Sequence, residues 1–241
     1  LRNYFIRKIT FPNDFIGNAS GIIDRIKQNI LYHGMRDSLV WKNNVIHITN
    51  SFYTYSFCEK MGANSIYLLY NPLIDEVFAK KPVFPRKKQI LIGARTSKIL
   101  KSYLEKSLSG FTVVHLKKMP IEKVYEYMSE SMAYVDLSTS NRDRSPREAA
   151  LLGCIVFTSK FGSARYYQDV PIPEDYKFAD KLCKYPKLKK CIINKALNYD
   201  KIISDFDYIN NKTIEEKNNF VEKVGETFKN IEVICFKHKI S

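Results

Sequence analysis

No run in this 241-residue chain approaches the ~18 uninterrupted apolar residues that a membrane helix needs. The most apolar stretch, 149–157, is far shorter and is interrupted by Gly153. Arg2, Arg7 and Lys8 near the start are not followed by a signal-peptide core. A soluble, cytoplasmic protein is expected. The five cysteines, Cys58, Cys154, Cys183, Cys191 and Cys235, are odd in number and form no CxxC pair. That argues against a zinc ribbon or a disulfide framework and for free thiols in a reducing compartment. No clustered metal ligands stand out, so neither a metal nor a separate cofactor is expected. There is no internal repeat and no low-complexity tract. There is also no initial Met, which leads us to expect a processed or trimmed chain.

What is present is a globular composition. Apolar residues make up 45 % and aromatics 13 %, enough to bury a core. The formal net charge is +14. Such a charge suits polyphosphate ligands, an anionic membrane surface or nucleic acid. Abundant Lys, Asn, Ile and Tyr, as low-GC coding would give, account for it equally well. No stacking-aromatic or helix-turn-helix pattern accompanies the charge, so nucleic acid ranks last among partners.

Residues 1–50 carry a turn at Asn18-Ala19-Ser20-Gly21 and a helical pattern from Ile22 to Leu31. Val45–Thr49 reads as a strand. Phe52–Met61 reads as a helix capped by Ser51 and closed before Gly62, and Ser65–Tyr70 as a strand stopped by Asn71-Pro72. Ala79–Lys88 holds two prolines and five basic residues, and a linker is placed at 81–88. Strands then alternate with helices. The strands are Gln89–Ile92, Phe111–Leu116, Ala133–Leu137 and Cys154–Thr158; the helices are Ser97–Leu108, Ile121–Ser131 and Pro146–Leu152. This alternation predicts an α/β fold with a parallel sheet covered on both faces. Asp180–Asn198 is lysine-dense, and Lys212–Asn230 reads as a long amphipathic stretch with Ile214, Phe220, Val221, Val224 and Phe228 at helical spacing. The expected domains are 1–80, 89–200 and a helical tail, 201–241.

Residues 133–178 are the most informative. Glu148 falls in the first turn expected for its helix. It could accept two hydrogen bonds from a ribose diol, or simply complete a capping box with Ser145. The preceding loop, 138–144, carries Arg142 and Arg144, which either bind phosphate bidentately or face water. Leu91–Lys98 ends a strand at Gly93 and sets Arg95 and Lys98 where a helix begins, a place for a diphosphate. Lys101 lies one turn further on. Gly162 permits close backbone approach, with Lys160 and Ser163 as donors, or makes a plain turn.

Taken in order, a G-x-R…K turn, an E-A-x-x-x-G helix and a following Gly turn resemble the carboxyl-terminal, donor-binding domain of GT-B fold glycosyltransferases. Asn71-Pro72 to Phe78 is similar to the end of that family's first domain. More loosely, P-R-E-A-A-x-L-G-C…D-V-P-I-P…Y-K-F is similar to a divergent bacterial group of polysaccharide-type, retaining transferases. The resemblance covers roughly residues 43–178. It implies a GT-B-like, Rossmann-like parallel sheet domain with a reduced or truncated first α/β domain. It also implies that Arg95 and Lys98 hold and neutralise the donor diphosphate while Glu148 holds the ribose. Ser140, Asn141, Arg144, Ser145, Gly162, Ser163 and Lys101 complete the donor site. Two departures stand out. Ser140 occupies the position of the family's second acidic residue, with Asn141 beside it and Asp143 nearby. The Arg–Lys spacing is short, which leaves Lys101 as the alternative to Lys98.

The implied function is metal-independent transfer of a sugar from a nucleotide-diphosphate donor to a polysaccharide, glycan or lipid-linked acceptor. His33 and His47 are the histidines of the first domain that a general base could use. The lysines from Lys181 to Lys201 are candidates for peripheral contact with an anionic inner-membrane face. The rival reading is a non-catalytic nucleotide-sugar-binding or scaffolding module on a degenerate transferase fold.

Overall fold

The computed structural model describes residues 5–8, 45–138 and 144–240. The turn at 18–21, the helix at 22–31, His33, Ser140, Asn141, Arg142 and Asp143 lie outside them. The chain divides into two compact units, residues 1–72 with 215–241, and residues 73–214.

In the first unit three parallel strands run in the order β1 (Phe5–Lys8), β2 (Val45–Thr49), β3 (Ser65–Leu68). The helix between the last two, α1 (Phe52–Lys60), starts where expected: the Ser51 hydroxyl accepts from the Thr54 N–H at 3.2 Å. It stops at Gly62, whose φ of +83° ends the helix as glycine readily does. His47 is fully buried on β2.

The second unit holds α2 (Asp75–Ala79) and then β4 (Lys87–Ile92), α3 (Lys98–Ser107), β5 (Thr112–His115), α4 (Ile121–Glu130), β6 (Ser131–Asp136), α5 (Arg144–Leu151), β7 (Ile155–Ser159) and β8 (Lys177–Phe178). The helices α6 (Tyr185–Leu197), α7 (Tyr199–Ile202) and α8 (Asp207–Asn218) follow, and the unit ends at Ile214, inside α8. The strand order is β5-β4-β6-β7-β8, every pair parallel. The chain winds outward from β4 in one direction to β5, then crosses back to β6 and continues to β8. Every residue of β7 is buried, as is the last part of β4 from Gln89, because helices cover both faces. Leu100 and Leu104 of α3 and Tyr125 and Met128 of α4 face that core at helical spacing. Each such buried side chain contributes about 1.5–3 kcal/mol.

Four differences from the sequence reading have physical causes. Arg86, inside the proline-rich stretch read as a linker, is buried. Its Nη1 donates to the carbonyls of Ser129 at 2.5 Å and Leu152 at 3.1 Å, and its Nη2 to those of Met128 at 2.9 Å and Ser131. Its two terminal nitrogens are thereby satisfied by backbone rather than water, while its Nε has no partner. The sheet also gains β8, a two-residue edge strand too short to show a period. The stretch 212–230 is shared by two helices: α8 ends at Asn218 and α9 (Phe220–Ile240) begins two residues later. Val221 and Phe228, read as its apolar face, are exposed. Finally, α5 begins at Arg144 rather than Pro146, which matters for the site below.

Candidate functional site

Because all five strands of the second unit are parallel, their carboxyl ends share one edge. The winding reverses between β4 and β6, and ligands of open α/β sheets bind in the crevice outside that reversal. Gly93 follows β4 and Asp136 ends β6. A Cβ on Gly93 would lie 2.6 Å from the Asp136 carboxylate, so glycine is required there by the neighbouring strand. Asp136, at this edge beside Gly93, was not singled out in the sequence, where it is the polar end of an apolar strand. Tyr134, two residues back and therefore on the same face, donates its hydroxyl to Oδ2 at 3.0 Å. The Ser138 N–H donates to Oδ1 at 2.9 Å. Burial, then the Asp136 charge, pushes the Tyr134 hydroxyl well above its usual range.

The turn after Gly93 carries the predicted cations. The Thr96 N–H donates to the Gly93 carbonyl at 3.1 Å, and the Ser97 hydroxyl caps α3 by accepting from the Leu100 N–H at 3.2 Å. Arg95 and Lys98 are exposed on this turn and the first helical position. Lys101 is half-buried and pairs with Glu105 at 3.6 Å, so Lys98 is the freer of the two lysines. Thr96 is buried, and its hydroxyl has no hydrogen-bond partner. His115, at the end of β5, is a second residue the sequence did not reveal. Burial, then Lys101 and Lys117, pushes its pKa down, against hydrogen bonding to the Gly93 backbone, and its Nε2 has no hydrogen-bond partner.

Glu148 does not belong to a capping box. With α5 starting at Arg144, Ser145 is already inside the helix and Glu148 lies beyond the first turn. Its side chain is buried and takes a hydrogen bond from the Tyr125 hydroxyl at 3.1 Å and an ion pair from Arg144 at 3.4 Å, both on Oε1. Arg144 is substantially exposed, so solvent screens that pair. Burial first, then the Glu148 charge, pushes the Tyr125 hydroxyl up, which keeps it a donor. Ser145 bonds the Tyr134 hydroxyl, tying α5 to the strand that ends at Asp136.

After β7, Gly162 has φ +63°, a conformation that favours glycine. Ser163 follows, buried, its hydroxyl also without a partner. The carboxyl edge thus holds three buried hydroxyls, Thr96, Ser163 and Thr158 (in register with Asp136), and an imidazole nitrogen that the described residues do not satisfy. Around them lie exposed Arg95 and Lys98 and the buried Glu148 carboxylate. Buried polar groups are ordinarily paired, and such exceptions mark positions where a ligand can supply the partner. Among the described residues no group of His, Cys, Asp and Glu could hold a metal ion, and no helix is long and apolar enough to cross a membrane.

No protein-family model and no curated protein matches the sequence. The fold does match solved structures. Sucrose-phosphate synthase from Thermosynechococcus elongatus superposes with a TM-score of 0.68 over 95 % of this chain and 68 % of that one, at 11 % identity. TarM superposes with a TM-score of 0.56 over 93 % of this chain and 50 % of its own, also at 11 % identity. Both have the GT-B fold. Five parallel strands, their winding order and the helices that cover them agree with its Rossmann-like domain, and the partial coverage fits a reduced partner domain. The chain has a GT-B-like glycosyltransferase fold.

Proposed function

We propose that the protein is a glycosyltransferase that moves a sugar from a nucleotide-diphosphate donor to a polysaccharide, glycan or lipid-linked acceptor without a metal. The observation that carries this reading is the asymmetry at the β4–β6 reversal. Exposed cations lie on the Gly93 turn, and a buried carboxylate held by a tyrosine lies on the helix after β6. A diphosphate requires the first and a ribose diol the second. As the glycosidic bond to the donor breaks, negative charge grows on the leaving phosphate. Arg95, Lys98 and the free N–H groups at the start of α3 would stabilise that charge, an interaction stronger in the transition state than in the ground state. Glu148, oriented by Tyr125, would bind and place the nucleoside rather than take part in bond breaking. Thr96 and Ser163 would gain the hydrogen-bond partners they lack.

The test is a panel of nucleotide-diphosphate sugars, followed by thermal stabilisation and by release of free nucleotide, with and without EDTA. Stabilisation is expected from at least one donor, with turnover unaffected by EDTA. Arg95→Ala/Lys98→Ala should lower turnover by roughly 10²–10³-fold. Glu148→Gln should weaken nucleotide binding by about tenfold or more, the loss of charge-assisted hydrogen bonds. Stabilisation without nucleotide release would support the non-catalytic binding module instead. A protein that no nucleotide stabilises, or a Glu148→Gln variant stabilised as well as wild type, would defeat the site assignment. Peripheral membrane contact through residues 181–201 belongs to the same proposal. Binding to anionic liposomes at low salt that weakens when Lys189 and Lys190 are neutralised is the expected result.

A further inference from the structure

Off the far side of the sheet, two strands from the β4–β6 reversal, a cavity of about 280 Å³ opens beside the ends of β7 and β8. Four lysines line it: Lys160 after β7, Lys177 on β8, Lys184 before α6 and Lys187 in its first turn. Glu174 and Asp175 are the acidic lining residues. Three of the lysines are exposed, but Lys177 is not: its side chain is 1 % accessible and its ammonium makes no hydrogen bond of good geometry. Its described counter-charge is Glu174 at 2.9 Å, three residues earlier, and the Glu174 side chain is 71 % exposed. Asp175 is committed elsewhere, paired with Lys195 at 2.6 Å.

Holding an ammonium out of water is costly unless anions surround it. A single solvent-facing carboxylate is a poor repayment, and three further lysines beside the same opening add repulsion. An arrangement of that sign is stable when an outside anion enters. No arginine lines the cavity, so the planar fork that suits carboxylates is missing, whereas lysines act as point charges around a tetrahedral group. The size suits one small head group rather than a whole nucleotide sugar. We infer that this cavity is a second anion site, distinct from the donor cleft, that binds the phosphate group of a phosphate ester. The inference does not depend on the transferase reading.

Calorimetric titration of the whole chain at low ionic strength tests it, with inorganic phosphate, glycerol 3-phosphate and a glycerol phosphodiester as probes, and phosphatidylglycerol vesicles in a co-sedimentation arm. Saturable binding of at least one probe is expected. It should weaken about tenfold or more in Lys184→Ala/Lys187→Ala, two exposed residues whose loss leaves the core untouched. It should stay within about twofold in Lys80→Ala/Lys81→Ala, which removes the same charge from two exposed lysines outside the cavity. Arg95→Ala/Lys98→Ala, which disables the donor cleft, should still show one saturable site for the phosphate probes. Lys177→Met should abolish binding while remaining folded by circular dichroism; if it does not fold, the Lys184/Lys187 variant decides alone. Preference for soluble monoester, diester or vesicle identifies where the phosphate comes from. Equal loss in both double-lysine variants would reduce the site to diffuse charge and overturn the inference. So would loss of all saturable phosphate binding in Arg95→Ala/Lys98→Ala, which would leave the donor cleft as its site, or the absence of saturable binding by every probe.

Discussion

The two ends of the five-stranded sheet treat polar groups in opposite ways. At the amino end Arg86 donates to four carbonyls, from Met128, Ser129, Ser131 and Leu152, and the Tyr199 hydroxyl closes on the Gly153 carbonyl at 2.6 Å. At the carboxyl end Thr96, Ser163 and the Nε2 of His115 have no hydrogen-bond partner, and Arg95 and Lys98 face outward. Both ends carry arginine, so residue type alone does not separate them. The difference is what each cation satisfies. A cation that saturates carbonyls of its own chain holds strands and helices together. One left beside unpaired hydroxyls gives nothing to stability and is available to a ligand.

The largest expected effect comes from breaking the saturated end. Arg86→Met preserves the apolar stem but takes a donor from four buried carbonyls, of which Ser129 keeps the Val83 N–H and Met128 the Cys154 thiol. Unfolding by denaturant should show a loss of about 3 kcal/mol, since a buried acceptor that loses its partner costs about 1–3 kcal/mol. The corresponding change at the open end, Arg95→Ala, should move stability by less than about 0.5 kcal/mol. If the two variants lose similar stability, the contrast between the ends fails.

A smaller effect is expected from Gly93→Ala, at the join between the two behaviours. The added Cβ would meet Asp136, which Tyr134 and the Ser138 N–H hold in place. Overpacking of this kind costs about 1–3 kcal/mol. The displaced turn carries Arg95 and Lys98 with it, so nucleotide affinity should fall about 10–100-fold. Gly93→Ala/Asp136→Ala removes the obstacle and should recover most of the stability. A double variant no better than the single one would show that the turn needs glycine for its own backbone and not for Asp136.

How much of this was legible in the sequence follows from the same contrast. The β4, β5, β6 and β7 runs and the helices between them show in the alternation because their burial is periodic or continuous. Ser51 was readable as a cap because a hydroxyl just before an apolar-periodic run has few other uses, whereas Ser97, read as the first helical residue, is the cap itself. Glu148 was singled out, but its place in the helix was misread: Ser145-x-x-Glu148 has the spacing of a capping box, and spacing alone does not say that the helix starts at Arg144. Arg86 was read as part of a basic linker, since its partners are carbonyls 42 to 66 residues away, beyond any local pattern. Asp136 and His115 escaped for the opposite reason. Each ends an otherwise ordinary strand, and only the winding order shows that both ends open on one crevice. The two-residue β8, which carries Lys177, has no period to detect.

The smallest effect reports on the saturated end without breaking it. The Cys154 thiol donates to the Met128 carbonyl at 3.2 Å beside Arg86, and burial pushes its pKa up to about 12 despite that cation. A thiol reagent at pH 8 should therefore label the exposed Cys183 at once and Cys154 only when the amino end opens. Because the folded pKa lies above the ordinary value of 9.0, Cys154 is neutral in both states below pH 9 and costs nothing there. Between pH 9 and about 12 the unfolded thiol ionises while the folded one does not, so stability falls across that window and not below it. Cys154→Ala should flatten part of this alkaline limb, and Cys183→Ala should leave it unchanged. Rapid labelling of Cys154 in the native protein at pH 8 would mean that the amino end breathes as freely as the carboxyl end, and saturation of the Arg86 network would no longer explain why only one end of the sheet is left for a ligand.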